Sequence, residues 1–378
     1  MKNKKKMIRR LLPTLLVLLI VCTASSALAH TVITIDCSSG VPFNPGVRGQ
    51  NPGRGMGSRA EILNICYNTS MRSLPAGGLD ADTYDWRNNK SGSDLGHYTT
   101  TLDSLRELRD HSAWGVFTAN VWGGGYKQDG EFVCQYLGDA GVAQLAADWV
   151  RYTNRIVQIY REGDPITDPR DAAILNSINW TDWSGNPLPK LLAPGEPPVP
   201  RAIYWEIGNE PEVNFPGYIR NHAMSKEEYS RRYRLIASAM KAEDPNVLVG
   251  PCCLNTQYVS QIFSDGGVVD FVSYHPYYGA LYNAWPGGEP TIGSLQSGLV
   301  YLDSWMRNEK NAWAVFNRPL LATEYNPIHW WGIYQPIAQS MTHALSYVES
   351  VIEFAAEGVL AAHNWHSPNF FPTPRQAA

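Results

Sequence analysis

The sequence predicts an α/β fold, a (β/α)8 TIM barrel, and three observations lead there. Short apolar, β-branched runs alternate with helical stretches along the chain and number eight, as parallel strands joined by crossover helices require. No repeat at solenoid periods interrupts them. The glycine-rich stretch Gly53-Arg54-Gly55-Met56-Gly57 lacks the G-x-G-x-x-G spacing and a clear helix behind it, which argues against the alternative, a doubly wound open sheet.

The first strand falls at residues 47–51, before the loop Pro52 to Ser58, and the second at residues 70–74, before Pro75-Ala76-Gly77-Gly78. Leu102, Leu105 and Leu108 give residues 99–111 one apolar helical face. A third strand over residues 114–120 runs into Trp122-Gly123-Gly124-Gly125-Tyr126, and a long helix over 142–160 carries Leu145, Trp149, Tyr152 and Ile156 on one side. The Pro-, Asp-, Asn- and Gly-rich stretch 161–200 reads as loop on the barrel floor. The fourth strand starts at Ile203, a helix spans 226–243, and the fifth strand covers 246–250. The sixth, 268–274, ends at His275-Pro276-Tyr277-Tyr278. Helices over 292–308 and 337–357 flank the seventh strand at Leu320, and the eighth, 359–364, ends at Trp365-His366. The last twelve residues carry Pro368, Pro372 and Pro374, so the eighth outer helix is missing and the C-terminus is expected to be truncated.

Lys2, Lys4, Lys5, Lys6, Arg9 and Arg10 precede an apolar run from Leu11 to Val21 and the A-x-A site Ala27-Leu28-Ala29. That pattern predicts a signal peptide over residues 1–29 and a single catalytic domain over 30–378, secreted to the extracellular space or periplasm. The run is too short for a membrane span, and Val21 is a poor neighbour for a lipid-attached Cys22. Without these residues the formal charge falls from −4 to −10, which excludes a nucleic-acid footprint and gives no reason for stable membrane association. Cys37, Cys66, Cys134, Cys252 and Cys253 remain. They permit one or two disulfides, show no zinc spacing, and leave vicinal Cys252-Cys253 as packing. No motif implies a metal or organic cofactor.

Chemistry concentrates at two strand ends. Tyr204-Trp205-Glu206-Ile207-Gly208-Asn209-Glu210-Pro211 is an apolar strand breaking at Asn-Glu-Pro, and Leu320-Leu321-Ala322-Thr323-Glu324-Tyr325-Asn326-Pro327 repeats the arrangement 114 residues on. Strand ends of a barrel converge, so Glu210 and Glu324 are expected to face each other as the two carboxylates of a retaining glycosidase. The same mouth would gather Arg72, Asn120, Trp122, Asn209, His275, Tyr277 and Trp365 as substrate-binding residues. Arg72 would favour an ionised Glu324, Tyr277 would orient it, and Asn209 would hold a sugar hydroxyl. Trp, Tyr and Phe are 11% of the chain, and such rings serve as platforms for sugar faces. Plainer roles exist for each: Glu206 paired to an arginine inside the barrel, His275 in a turn, Trp122 and Trp365 in the core, Arg72 paired with Asp80 or Asp82.

Tyr204 to Pro211 resembles the acid/base motif of clan A glycoside hydrolases. Met71-Arg72-Ser73-Leu74-Pro75-Ala76-Gly77-Gly78, Asp82-Thr83-Tyr84-Asp85-Trp86-Arg87 and Ser273-Tyr274-His275-Pro276-Tyr277 look like the family 51 α-L-arabinofuranosidases. The resemblance runs from about residue 45 to 366. It implies Glu210 as acid/base, Glu324 as nucleophile, and Arg72, Asn209, His275 and Tyr277 in the first subsite. That family has an Asn after the Gly-Gly pair, where this chain has Leu79. It also has a Glu after the first strand, where this chain reads Gly49-Gln50-Asn51-Pro52-Gly53-Arg54. Its C-terminal β-sandwich has no counterpart here. The expectation is a retaining hydrolase of plant-type polysaccharides, with arabinofuranosidase first. The alternatives are β-xylosidase, β-glucuronidase or endo-β-glucanase activity, or an inactive carbohydrate-binding relative.

Overall fold

The computed structural model describes residues 44–50, 68–72, 74–91, 99–182, 184–214, 216–277, 292–326 and 341–364. Thirteen strands lie among them: β1 (Gly49–Gln50), β2 (Ser70–Met71), β3 (Tyr84–Asp85), β4 (Lys90–Ser91), β5 (Trp114–Ala119), β6 (Gly123–Gln128), β7 (Glu131–Tyr136), β8 (Tyr204–Ile207), β9 (Ile219–Arg220), β10 (Leu248–Pro251), β11 (Val272–Tyr274), β12 (Leu320–Tyr325) and β13 (Ala361–Asn364). Eight form one sheet in the order β10-β8-β5-β2-β1-β13-β12-β11, and every pairing in it is parallel. Each strand therefore neighbours the one before or after it among the eight. The order never reverses, unlike a doubly wound sheet. A parallel bridge between Cys252 and Ser273 links the two edge strands, β10 and β11.

The two faces of the sheet differ because successive side chains alternate. Phe117, Trp205, Ile207, Val249, Val272 and Ala322 join the main core with helix residues such as Leu105, Trp149 and Tyr233. The helices that supply them include Thr101–Asp110, Gly138–Arg151 and Lys226–Glu243. Trp149 stands edge-on to both Phe117 and Trp205, with ring centroids 6.2 and 5.2 Å away. On the opposite face Val116, Phe271, Leu321 and Ala361 form a small separate cluster, with Trp114, Tyr204, Leu248 and Leu360 against it. Two residues further along the same strands come Thr118, Glu206, Ser273, Thr323 and His363, all buried. An apolar layer is thus followed, towards the strands' C-terminal ends, by a polar one.

All eight expected sheet strands are present, several shorter than predicted. The long helix begins at Gly138 rather than 142, passes through a π turn at Tyr152–Ile156, and ends at Ile159. Two helices were not anticipated, Pro169–Ser177 inside the expected floor loop and Thr256–Ser264 between the fifth and sixth sheet strands. Nor was a three-stranded sheet, β6-β7-β9. Gly123-Gly124-Gly125 reads as loop by propensity, yet it pairs antiparallel with Tyr136, Gln135 and Cys134. The Asp129-Gly130 turn, with φ of 52° and 86°, is the two-residue hairpin signal that marks it. The described helices include none long and apolar enough to cross a membrane.

Candidate active site

The polar layer is organised by Arg72, which directly follows β2 and is fully buried. Its Nε donates to Glu206 Oε2 at 2.7 Å, Nη1 to Glu324 Oε1 at 2.5 Å, and Nη2 to Asn209 Oδ1 at 2.8 Å. Nη2 also lies 3.6 Å from Cys252 Sγ. One planar fork thereby fixes groups from β8, β12 and the loops after β8 and β10. Glu206 faces this layer because Trp205 and Ile207 on either side of it face the helices; Thr118 donates to its Oε2 at 3.1 Å. Burial pushes the Glu206 pKa up, but Arg72 and then His275 outweigh it and hold the carboxyl below its usual value.

After β8 the chain turns sharply. Gly208 has φ +75° and a Cβ there would meet Val121 at 3.1 Å, while Glu210 itself has φ +49°. A non-glycine residue in the left-handed region costs of order 1–3 kcal/mol and persists only when its surroundings fix it. They do: Glu210 N–H donates to Cys252 O at 3.0 Å, and Asn209 N–H donates to Asp82 Oδ2 at 3.0 Å. The turn delivers the Glu210 carboxylate to His275, whose Nδ1 lies 2.5 Å from Glu210 Oε1 and 3.7 Å from Glu324 Oε2. Tyr277 OH donates to Glu324 Oε2 at 2.7 Å. His275 Nε2 lies 3.1 Å from Cys252 Sγ. Burial lowers the His275 pKa, but Glu324 and Glu210 reverse the effect and raise it above the ordinary histidine value. Burial, then Glu324 and Glu210, push the Tyr277 phenol well up, so it remains a hydrogen-bond donor.

Glu210, Glu324, Arg72, Asn209, His275 and Tyr277 therefore meet, as the sequence predicted. Ligating atoms of Glu210, His275 and Glu324 all lie within 4.8 Å of one another. By spacing alone that trio could hold a metal ion, but Arg72 and Tyr277 already occupy the two oxygens of Glu324. A second acidic group of that spacing, Asp303, Glu353 and Glu357, lies elsewhere.

Asn120 and Trp122 are tied into the scaffold. Asn120 Oδ1 accepts from Trp122 N and Gly123 N, and its Nδ2 donates to Tyr84 O, which shapes the turn into β6. Trp122 is buried with the Arg232 guanidinium 4.2 Å from its ring centroid, so that face is covered. Trp365 lies outside the described residues. Arg72 bonds neither Asp80 nor Asp82 among the described contacts, and Glu206 takes the arginine-paired role. Sequence reasoning did not place Cys252, Asp82 or His222 at the site. Cys134, Cys252 and Cys253 are free thiols, so none forms an expected disulfide; Cys37 and Cys66 lie outside the described residues.

No protein-family model matches this chain, and no curated protein matches it in sequence. Its fold is similar to that of solved glycoside hydrolases. The α-L-arabinofuranosidase of Thermotoga maritima, solved with arabinose, superposes with a TM-score of 0.51 at 15% identity, over 85% of this chain and 64% of that one. The family 51 α-L-arabinofuranosidase of Thermotoga petrophila gives 0.50 at 15%, over 85% and 64%. A family 51 α-L-arabinofuranosidase of Bifidobacterium longum gives 0.51 at 15%, over 85% and 67%. This chain thus spans about 64% of the length of the two Thermotoga enzymes.

Proposed function

We propose that the chain is a retaining glycoside hydrolase of the clan A type, built on a closed (β/α)8 barrel and acting on plant-type polysaccharides or their oligosaccharides. The observation that carries this reading is the meeting of Glu210 and Glu324, 114 residues apart, with ligating oxygens within 4.8 Å. Retaining enzymes hold their two carboxyl groups about 5–5.5 Å apart, and inverting ones leave room for a water between them. The cyclic strand order and the Cys252–Ser273 bridge support the barrel.

Glu324, oriented by Arg72 and Tyr277, attacks the anomeric carbon. Glu210 protonates the leaving oxygen; because its Oε1 faces His275 Nδ1, Oε2 is left to carry that proton. In the second step Glu210 takes a proton from water, which attacks the same carbon and frees Glu324 with retained configuration. α-L-Arabinofuranoside is the first substrate class to test, on the fold likeness to the three enzymes above. Leu79 packs against the core and offers no amide to a sugar, so xylo-, glucurono- and cello-configured substrates belong in the same panel. Export after cleavage at Ala29 is part of the proposal and predicts a mature chain starting at His30.

Purified protein should hydrolyse at least one aryl glycoside of that panel. Glu210→Gln and Glu324→Gln should each lose at least about 100-fold in kcat. An NMR time course should show the first product with the substrate's anomeric configuration. Inversion would sink the nucleophile assignment, and sugar binding without turnover would favour the inactive carbohydrate-binding alternative.

A further inference from the structure

Asp82 and His222 lie at the site, fully buried, and the reaction above uses neither. Asp82 belongs to the 3-10 helix Gly78–Thr83, and His222 follows β9. His222 Nε2 lies 3.0 Å from Asp82 Oδ2, the same oxygen that accepts Asn209 N–H at 3.0 Å. His222 Nδ1 lies 2.8 Å from Val213 O. A backbone carbonyl only accepts, so Nδ1 carries a proton. A carboxylate also accepts, so Nε2 carries one too, and the ring is an imidazolium.

We propose that the Asp82–His222 ion pair is the positioning element of the acid/base loop, gripping its start through Asn209 N–H and its end through Val213 C=O. Between those two points lies Glu210 in its left-handed conformation. The loop is closed by Val213 N–H to Glu210 O at 3.0 Å and tied beyond the pair by Met224 N–H to Pro211 O at 2.8 Å. Burial lowers the His222 pKa, but the hydrogen bond and charge of Asp82 more than reverse it, in keeping with a charged ring. Neither residue touches the substrate in this scheme. Their effect on turnover passes through the aim of Glu210, so the inference rests on Glu210 being the acid.

That dependence sets the test. Asp82→Asn and His222→Phe, checked as folded by circular dichroism, are assayed with aryl glycosides of graded leaving groups. Dinitrophenolate departs without a proton, whereas an unactivated phenol needs one. A misaimed acid should therefore lower kcat/KM by at least about tenfold for phenyl glycosides. For dinitrophenyl glycosides it should change by less than about threefold, since little acid catalysis is at stake there. Equal losses on both, or no loss on either, overturn the proposal. A second readout is independent of activity. In 15N-histidine spectra of the wild type at pH 7, His222 should have both ring nitrogens protonated, and Asp82→Asn should abolish this. A neutral His222 in the wild type also overturns the proposal. If the wild type hydrolyses no glycoside, the enzymatic reading fails separately, and the spectra still decide the pair's state.

Discussion

Arg72 is the residue on which the polar layer turns. It is buried with Glu206 and Glu324, both hydrogen-bonded to it. Removing one partner of a buried ion pair costs about 3–5 kcal/mol, because the remaining charge is left uncompensated. Arg72→Met is therefore expected to lower the unfolding free energy read from urea titration by an amount of that order and, under the proposed function, to abolish turnover. Arg72→Lys should restore part of the stability but little activity, since an ammonium cannot reproduce the three-way fork. The meeting of Glu210 and Glu324 was legible because each glutamate sits in a local signature, an apolar strand broken by Asn and Pro. Asp82 and His222 carry no such signature. They lie 127 and 13 residues from Asn209 along the chain, and only the folded sheet brings all three together. Cys252 was read as packing for the same reason: its contact with His275 spans two strand ends.

At the scale of elements, legibility followed the strength of local rules. The helix Lys226–Glu243 matched its predicted bounds because Ser225 caps it, its side chain accepting from Glu228 N. Among the eight sheet strands the ends moved but the positions held, since apolar runs specify burial better than length. The β6-β7 hairpin was missed because three glycines outweighed the turn signal that follows them. Close approach between strands gives a further prediction. A Cβ on Gly250 of β10 would lie 2.5 Å from the Phe271 ring and 2.6 Å from Phe271 O. The backbone oxygen cannot swing aside as a side chain can. Gly250→Ala should cost about 1–3 kcal/mol, as overpacked core substitutions do, and calorimetry would read it. An unchanged unfolding temperature would mean that β10 and β11 are less tightly apposed than described.

Across the whole molecule, buried titrating groups set a pH window for stability. His363 is fully buried, and neither ring nitrogen is hydrogen-bonded among the described residues. Burial, reinforced by Arg72, drives its pKa down to about 3. Its unfolded value is about 6.5, so the unfolded chain binds the extra proton first and stability falls as pH drops from about 6.5 towards 3. Glu206, held below its usual value, adds a loss that begins below about 4.5. His222 and His275 work in the opposite direction. Their raised pKa values contribute stability that is complete below about 6.5 and is lost as pH climbs through the folded values. Glu353 and Glu212, which burial raises to about 8 and about 7, also lose stability as pH climbs, from about 4.5 upwards, so urea midpoints should decline on both an acid and an alkaline limb. His363→Leu should flatten the acid limb and leave the alkaline one in place; an unaltered acid limb would remove His363 from the account.

The cation that follows β2 meets its last carboxylate partner on β12, 252 residues later. On a growing polypeptide, the synthesis of those 252 residues separates the two events, and long-range pairings of this kind form slowly. Until the β12 segment emerges, Arg72 has Glu206 and Asn209 but not its second carboxylate. Nascent chains stalled before residue 320 should therefore show no affinity for sugar. Under the proposed function, competence would then come only once β12 and β13 have both been made.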